Sequence, residues 1–194
     1  MGASPGPFFF SVRVLYWKRL LHKIKNCMPG RCARRKDGYM CGDMIARLYG
    51  LPEAPDPENV RVKRAFPSDR SAILRFIAEN FSQNWADEAA TALTQSPPGC
   101  YIAVRDRRIV GFACWDATAK GFFGPIGVAA DQRGSGIGEA LLLRCLHSMR
   151  EAGYAYAVIG WVDEAAAFYR KTVNAEYIPG GTPENSVYSN PISL

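Results

Sequence analysis

The alternation of apolar and polar residues begins clearly at residue 60. Val60 and Val62 alternate with Arg61 and Lys63, and the run through Phe66 predicts a strand. Ser68 and Asp69 follow as candidate N-caps. Ile73, Leu74, Phe76, Ile77 and Phe81 then fall at helical spacing. A second helix is predicted from about Asn84 to Thr94, ending before Pro97-Pro98-Gly99. Two β-rich runs, 100–105 and 109–115, are joined by Asp106-Arg107-Arg108 and read as a hairpin. After a turn at 117–120, residues 121–128 form a further strand with an interruption. Pro125 cannot donate to a ladder and the neighbouring glycines allow a bulge, so this strand is predicted to be bent or splayed from a neighbour.

Positions 137, 141, 142, 145, 146 and 149 make one apolar stripe on a helix that runs to Arg150 and is ended by Gly153. Residues 154–161 read as a strand. Asp163 is the expected cap of a helix carrying Ala165, Phe168 and Tyr169, and Asn174 suits a left-handed position at its C-terminus. The remainder, to Leu194, reads as short strands around Pro179-Gly180-Gly181. No internal repeat or low-complexity tract is visible.

Residues 50–58 carry three prolines and read as a linker. The expected organisation is therefore a basic N-terminal extension at 1–39, a linker or short segment at 40–58, and one compact domain at 59–194. Charge supports the division. Residues 1–39 hold nine Lys or Arg and one Asp, a net +8, whereas residues 40–194 hold 15 basic and 17 acidic residues, a net −2. Such an extension is a candidate for contact with nucleic acid or an anionic membrane, against the plainer reading of a solvated arm. Residues 13–25 fit a basic amphipathic helix that could lie on a membrane or pack on the domain. Phe8-Phe9-Phe10 is too short for a signal-peptide core, and no apolar run approaches the roughly 18 residues of a membrane span. A hydrophobic content of 48% supplies one core, so the expectation is a soluble, cytoplasmic protein.

The six cysteines are scattered. Cys27 and Cys32 have no second Cys or His pair at zinc-finger spacing, and Cys100, Cys114 and Cys145 fall in apolar segments as small core residues. Reduced thiols are the simplest account. With two histidines only, His22 and His147, neither a His-based metal site nor a Ser-His-Asp hydrolase is expected.

The informative stretch is the turn 132–138, Gln-Arg-Gly-Ser-Gly-Ile-Gly, between a strand and a helix. Glycine lets backbone N–H groups approach an anion, a helix N-terminus adds unpaired donors, and Arg133 adds a full charge: a cradle for pyrophosphate. A P-loop would need Gly-Lys-Ser/Thr, but Glu139 follows Gly138. A dinucleotide fingerprint would need a glycine at 139. What matches is Arg-x-x-Gly-x-Gly, as Arg133, Gly136 and Gly138.

That pattern resembles the acetyl-CoA signature of the GNAT superfamily of N-acyltransferases. The resemblance covers about residues 59–178 and extends to Ile126-Gly127-Val128 before the turn and to Ala165-x-x-Phe168-Tyr169 beyond it. It implies an α/β (α+β) fold with a mixed, mostly antiparallel central sheet flanked by helices, its fourth and fifth strands splayed apart. It implies an acyltransferase that moves an acetyl group from acetyl-CoA, as cosubstrate and without a metal, to a primary amine of a small molecule or protein. The cofactor-binding residues it implies are Ile126, Val128, Arg133, Gly134, Ser135, Gly136, Ile137 and Gly138. Ile126 and Val128 would pair with pantetheine, and the Val128 N–H is a candidate donor to the thioester carbonyl. Tyr169 matches the family's general acid; a phenol with a reference pKa of ~10 holds its proton at neutral pH. The alternative for Tyr169 is a core ring beside Phe168.

Two departures stand out. Val162 occupies the place where the family often has Asn, and residues 121–128 hold no carboxylate to serve as base. The second keeps an alternative open, an acyl-CoA-binding sensor or inactive regulatory module. A homodimer is a candidate assembly.

Overall fold

The computed structural model describes residues 41–190. The basic extension and the amphipathic stretch within it lie outside the described residues. Strand β1 (Gly42–Arg47) is followed by β2 (Arg61–Arg64), α1 (Arg70–Asn80), α2 (Gln83–Leu93), β3 (Cys100–Arg105) and β4 (Arg108–Trp115). Then come β5 (Phe122–Val128), α3 (Ile137–Glu151), β6 (Tyr156–Val162), α4 (Ala166–Val173) and β7 (Glu176–Tyr177). The strands form one seven-stranded sheet in the order β2-β3-β4-β5-β6-β1-β7. All neighbours are antiparallel except β5 and β6. This is the mixed, mostly antiparallel sheet flanked by helices that the resemblance implies. The strands counted fourth and fifth from residue 59 are β5 and β6 here, because β1 precedes them.

Alternation along the strands sends side chains to two separate cores. On one face Ile102, Phe112 and Cys114 pack with Ile73 and Ile77 of α1 and Ala86, Ala89 and Leu93 of α2. On the other, Ala103, Ala113, Phe123 and Ile159 pack with α3 and with Tyr169 and Val173 of α4. The stripe on α3 is fully buried: Leu141, Leu142, Leu143, Leu146 and Met149 each have 0% exposure. Each such side chain contributes ~1.5–3 kcal/mol. Cys100, Cys114 and Cys145 are buried free thiols, and burial pushes the latter two well above the ordinary thiol range.

Several sequence expectations are corrected. Residues 40–58 are not simply a linker, since β1 lies between β6 and β7 in the sheet and buries Met44 and Ala46 completely. The proline stretch that follows runs back over α3, where His147 Nε2 meets the Pro52 carbonyl at 2.9 Å and Arg144 pairs with Asp56 at 2.8 Å. Ser68 and Asp69 make no side-chain cap on α1; the Asp69 carboxylate accepts from Lys63 Nζ at 3.0 Å instead. It is α2 that is capped by a side chain, with Ser82 Oγ accepting from the Trp85 N–H. Asp163 gives α4 no side-chain cap, and the helix begins after Ala165. Asn174 is left-handed as expected, with φ 50°. Beyond β7 the C-terminal segment turns into two short 3₁₀ turns, Pro183–Asn185 and Val187–Ser189, rather than strands.

Candidate active site

The site begins with an irregularity in β5. Opposite β4, Ala113 pairs with Ile126 but Trp115 pairs with Phe123, so Gly124 and Pro125 together face Cys114 alone. This is a β-bulge, and Gly124 meets its geometry with φ 127°. Pairing of β5 with β6 covers Phe122↔Val158 and Phe123↔Ile159 and then stops. Beyond the bulge the strands diverge, the splay expected from Pro125.

The bulge also resets which way each residue points. The Ala129 N–H bonds to the Val110 carbonyl at 2.9 Å. By the alternation of an antiparallel ladder, Gly127 then bonds to β4 while Ile126 and Val128 turn their N–H and C=O toward the gap. Arg133 Nε donates to the Val128 carbonyl at 3.2 Å, which ties the turn to this edge and leaves the arginine exposed. Gly127 faces the α1/α2 side, where a Cβ would stand 2.4 Å from the Phe81 ring. The Ile126 and Val128 side chains lie against the α3 core.

The turn leads from this edge into α3. Gly134 and Gly136 have φ of 81° and 78°, and the space before each is open, so a side chain at either position would fill the cradle itself. Gly136 is the N-cap of α3 and no side chain caps the first turn, leaving the leading N–H groups for another acceptor. The Ser135 hydroxyl donates to the Gln132 carbonyl at 2.7 Å and stiffens the turn. Ile137 offers only its backbone, because its side chain is 1% exposed in the core. At Gly138 an added Cβ would stand 3.8 Å from both Phe168 Cζ and Val128 Cγ2, so the helix start, β5 and α4 meet here. These residues fit a bound pyrophosphate: open glycines, uncapped donors and an arginine in one loop.

Tyr169 stands at the fork. Its ring is edge-on to Phe123, the last β5 residue paired with β6, at 6.3 Å. Burial, with a smaller contribution from nearby Tyr188, holds its hydroxyl well above the usual tyrosine range. The structure thus brings Val128, Arg133 and Gly138 together and sets Tyr169 against Phe123 and Phe168 beside them. Val162, in the family's asparagine position, is buried.

Three residues that sequence reasoning did not single out occupy the other side of the gap. Glu88 of α2 accepts from the Thr118 hydroxyl at 2.6 Å. Burial raises the Glu88 carboxyl above its ordinary range, and the Thr118 bond pulls the other way. Tyr188, beside Thr118, is pushed up to about 12 by burial. The Asp43 carboxylate anchors this region, accepting from the Trp161 N–H at 2.9 Å and the Ser186 hydroxyl at 2.6 Å. Other residues near element ends are structural. Asp116 takes the Gly121 N–H, Lys120 Nζ and the Tyr154 hydroxyl, while Trp85 stacks on Phe81.

Among the described residues no helix is long and apolar enough to cross a membrane. The chain is 31% identical over 128 residues to mycothiol acetyltransferase of Thermomonospora curvata, covering 59% of this chain and 42% of that protein. It is 34% identical over 134 residues to the protein of the same name from Thermobispora bispora, covering 59% and 45%. The chain therefore spans less than half the length of these curated relatives. A GCN5-related N-acetyltransferase from Sphaerobacter thermophilus superposes with a TM-score of 0.60 at 23% identity, covering 84% of this chain and 53% of that one. The GCN5-related glucosamine N-acetyltransferase region of a fungal multi-domain GH3 β-N-acetylglucosaminidase gives 0.58 at 16% identity, covering 90% and 24%. At these identities the two structures speak for the fold alone. The model of the acetyltransferase (GNAT) family matches residues 70–174, from the start of α1 to the end of α4, and the chain belongs to that family.

Proposed function

We propose that the protein transfers the acetyl group of acetyl-CoA to a primary amine by direct attack of the amine nitrogen on the thioester carbonyl. The observation that carries this reading is a continuous polar track. The edge of Ile126 and Val128, past the last pair with β6 and engaged only by Arg133 at the Val128 carbonyl, runs into the uncapped first turn of α3. An extended amide-bearing arm followed by a pyrophosphate needs those two surfaces in that order.

Acetyl-CoA supplies the acyl group and a thiolate leaving group. Arg133 and the N–H groups of residues 134–138 hold the pyrophosphate; Ser135 contributes through its backbone, since its hydroxyl is engaged within the turn. Ile126 and Val128 bind the pantetheine amides as an added strand would, and the Val128 N–H points at the developing charge on the carbonyl oxygen. Tyr169, protonated at any physiological pH, gives a proton to the sulfur. The relatives' shared name supports acetyl transfer. Two measurements test the reading: calorimetric titration with CoA, and thiol release from acetyl-CoA across a panel of small amines, amino acids, polyamines and peptide N-termini. No CoA binding, or no thiol release with any amine, would refute it.

A further inference from the structure

The α1/α2 side of the splay carries a polar cluster with no task in the scheme above. Gly160 is the first β6 residue past the last pair with β5. Ile159 points into the α3 core, so Gly160 points to the opposite face. There Tyr188 occupies the space a Cβ would take, 2.4 Å from its Cε2, and its ring stands edge-on to Trp161 at 5.5 Å. Tyr188 therefore covers the mouth of the gap on the side away from the phosphate-binding turn. Thr118 adjoins its hydroxyl, and Glu88 receives the Thr118 hydrogen bond through Oε2. On the inner side, Tyr188 is close enough to Tyr169 for charge on one to oppose ionisation of the other. Glu88, Thr118, Tyr188 and Tyr169 thus form a chain of neighbouring polar side chains from α2 to the fork of the strands.

Glu88 is half-buried, and among the described residues no lysine or arginine pairs with it. An acid in that position without a cation is placed for a cation that arrives. We propose that Glu88 receives the acceptor's ammonium group and takes its proton on Oε1, supplying the carboxylate base that β5 lacks. This assignment rests on the acetyltransferase reading. In the step, one ammonium proton passes to Glu88. The nitrogen lone pair forms the C–N bond to the acetyl carbon as the C–S bond breaks, its electron pair staying on sulfur. Sulfur takes the Tyr169 proton, the second proton shed by nitrogen restores Tyr169, and Glu88 returns the first to solvent. The titratable groups facing Glu88 are Cys114 of β4 and Tyr188, both kept protonated by burial. Of these groups only Glu88 is a carboxylate, and burial raises its carboxyl above the ordinary range.

The test uses the full chain, acetyl-CoA and the best amine from the panel, with kcat/KM followed by thiol release from pH 5.5 to 9.5. Glu88→Gln keeps the shape and should lower kcat/KM at neutral pH by ~100-fold or more, removing the acid limb and leaving a rate that climbs toward the amine's own pKa. CoA affinity and melting temperature should hold. Thr118→Val removes a donor to the charged form, so the acid limb should move to higher pH. A folded Glu88→Gln protein with wild-type rate and an unchanged acid limb would overturn the assignment while leaving the acetyltransferase reading intact. A wild-type chain that releases no thiol with any amine would overturn both.

Discussion

Replacing Tyr169 with phenylalanine separates chemistry from packing, because the structure gives the hydroxyl no packing role. The ring is 6% exposed, 6.3 Å from Phe123 and 5.1 Å from Phe168 by centroids, and phenylalanine keeps all of that. The hydroxyl has no hydrogen-bond partner among the described residues. Its removal therefore breaks no hydrogen bond to the protein. Stability should stay within ~1 kcal/mol of wild type, a shift of at most ~2–4 °C for a domain of this size. Turnover should behave otherwise. If the hydroxyl protonates the leaving sulfur, kcat should fall by ~100-fold or more, about 2.7 kcal/mol of barrier. Alkaline melts supply a second reading. The folded pKa of Tyr169 lies above its unfolded value of ~10, so this tyrosine's contribution is intact below pH ~10 and is lost as pH rises beyond it. Tyr169→Phe should flatten that part of the alkaline decline. Thiol-release kinetics and melts from pH 7 to 11 give both results. A well-folded variant with near-wild-type kcat would refute the proton-donor assignment.

Three further outcomes are expected. Gly136→Glu forces a side chain onto a residue with φ 78° and puts negative charge at the start of α3, so CoA affinity should fall at least ~10-fold by calorimetry; unchanged affinity would remove the turn from the cofactor site. Gly127→Ala drives a methyl against Phe81, whose ring is held by Trp85 and Phe112 with centroids 5.5 Å away, and should cost ~1–3 kcal/mol in denaturant unfolding. Deleting residues 1–55 removes β1, with its fully buried Met44, and the fully buried Leu48 that follows it, and bares the edge of β6; loss of the cooperative melt is expected, and a stable, CoA-binding fragment would contradict the topology.

The glycine-rich turn was legible because its chemistry is local. Three glycines and an arginine within six residues, between a β-rich run and an apolar stripe, need no tertiary information. The bend in β5 was legible for the same reason, since Pro125 announces a missing donor wherever it sits. β1 was hidden because its evidence is distant. Gly42 pairs with Val162 and Ile45 with Val158, more than a hundred residues away. The prolines that follow β1 mark a true loop, but one that joins two strands of a single sheet. Glu88 was hidden more completely. On a helix it reads as one more solvated acid, and only Thr118, thirty residues later, and Tyr188 from the C-terminal segment give it surroundings.

The extra residue in β5 connects these features physically. Without the bulge, the parity that sends Phe123 toward the α3 core would send Pro125 and Gly127 there too, and β5 would have no reason to leave β6. With it, Gly127 turns to meet Phe81, and Ile126 and Val128 turn their backbone toward the space that β6 no longer fills, where Arg133 takes the Val128 carbonyl. The turn and α3 line one face; Glu88, Thr118 and Tyr188 line the other. Two substrates that approach from opposite faces meet only where the strands part, and Tyr169 is fixed there by its contact with Phe123. The proposed acceptor side owes its shape to a helix and a C-terminal segment, neither of which contains the turn. On the proposed assignment, acceptor preference would change through Glu88 and Tyr188 without disturbing the surfaces assigned to acetyl-CoA.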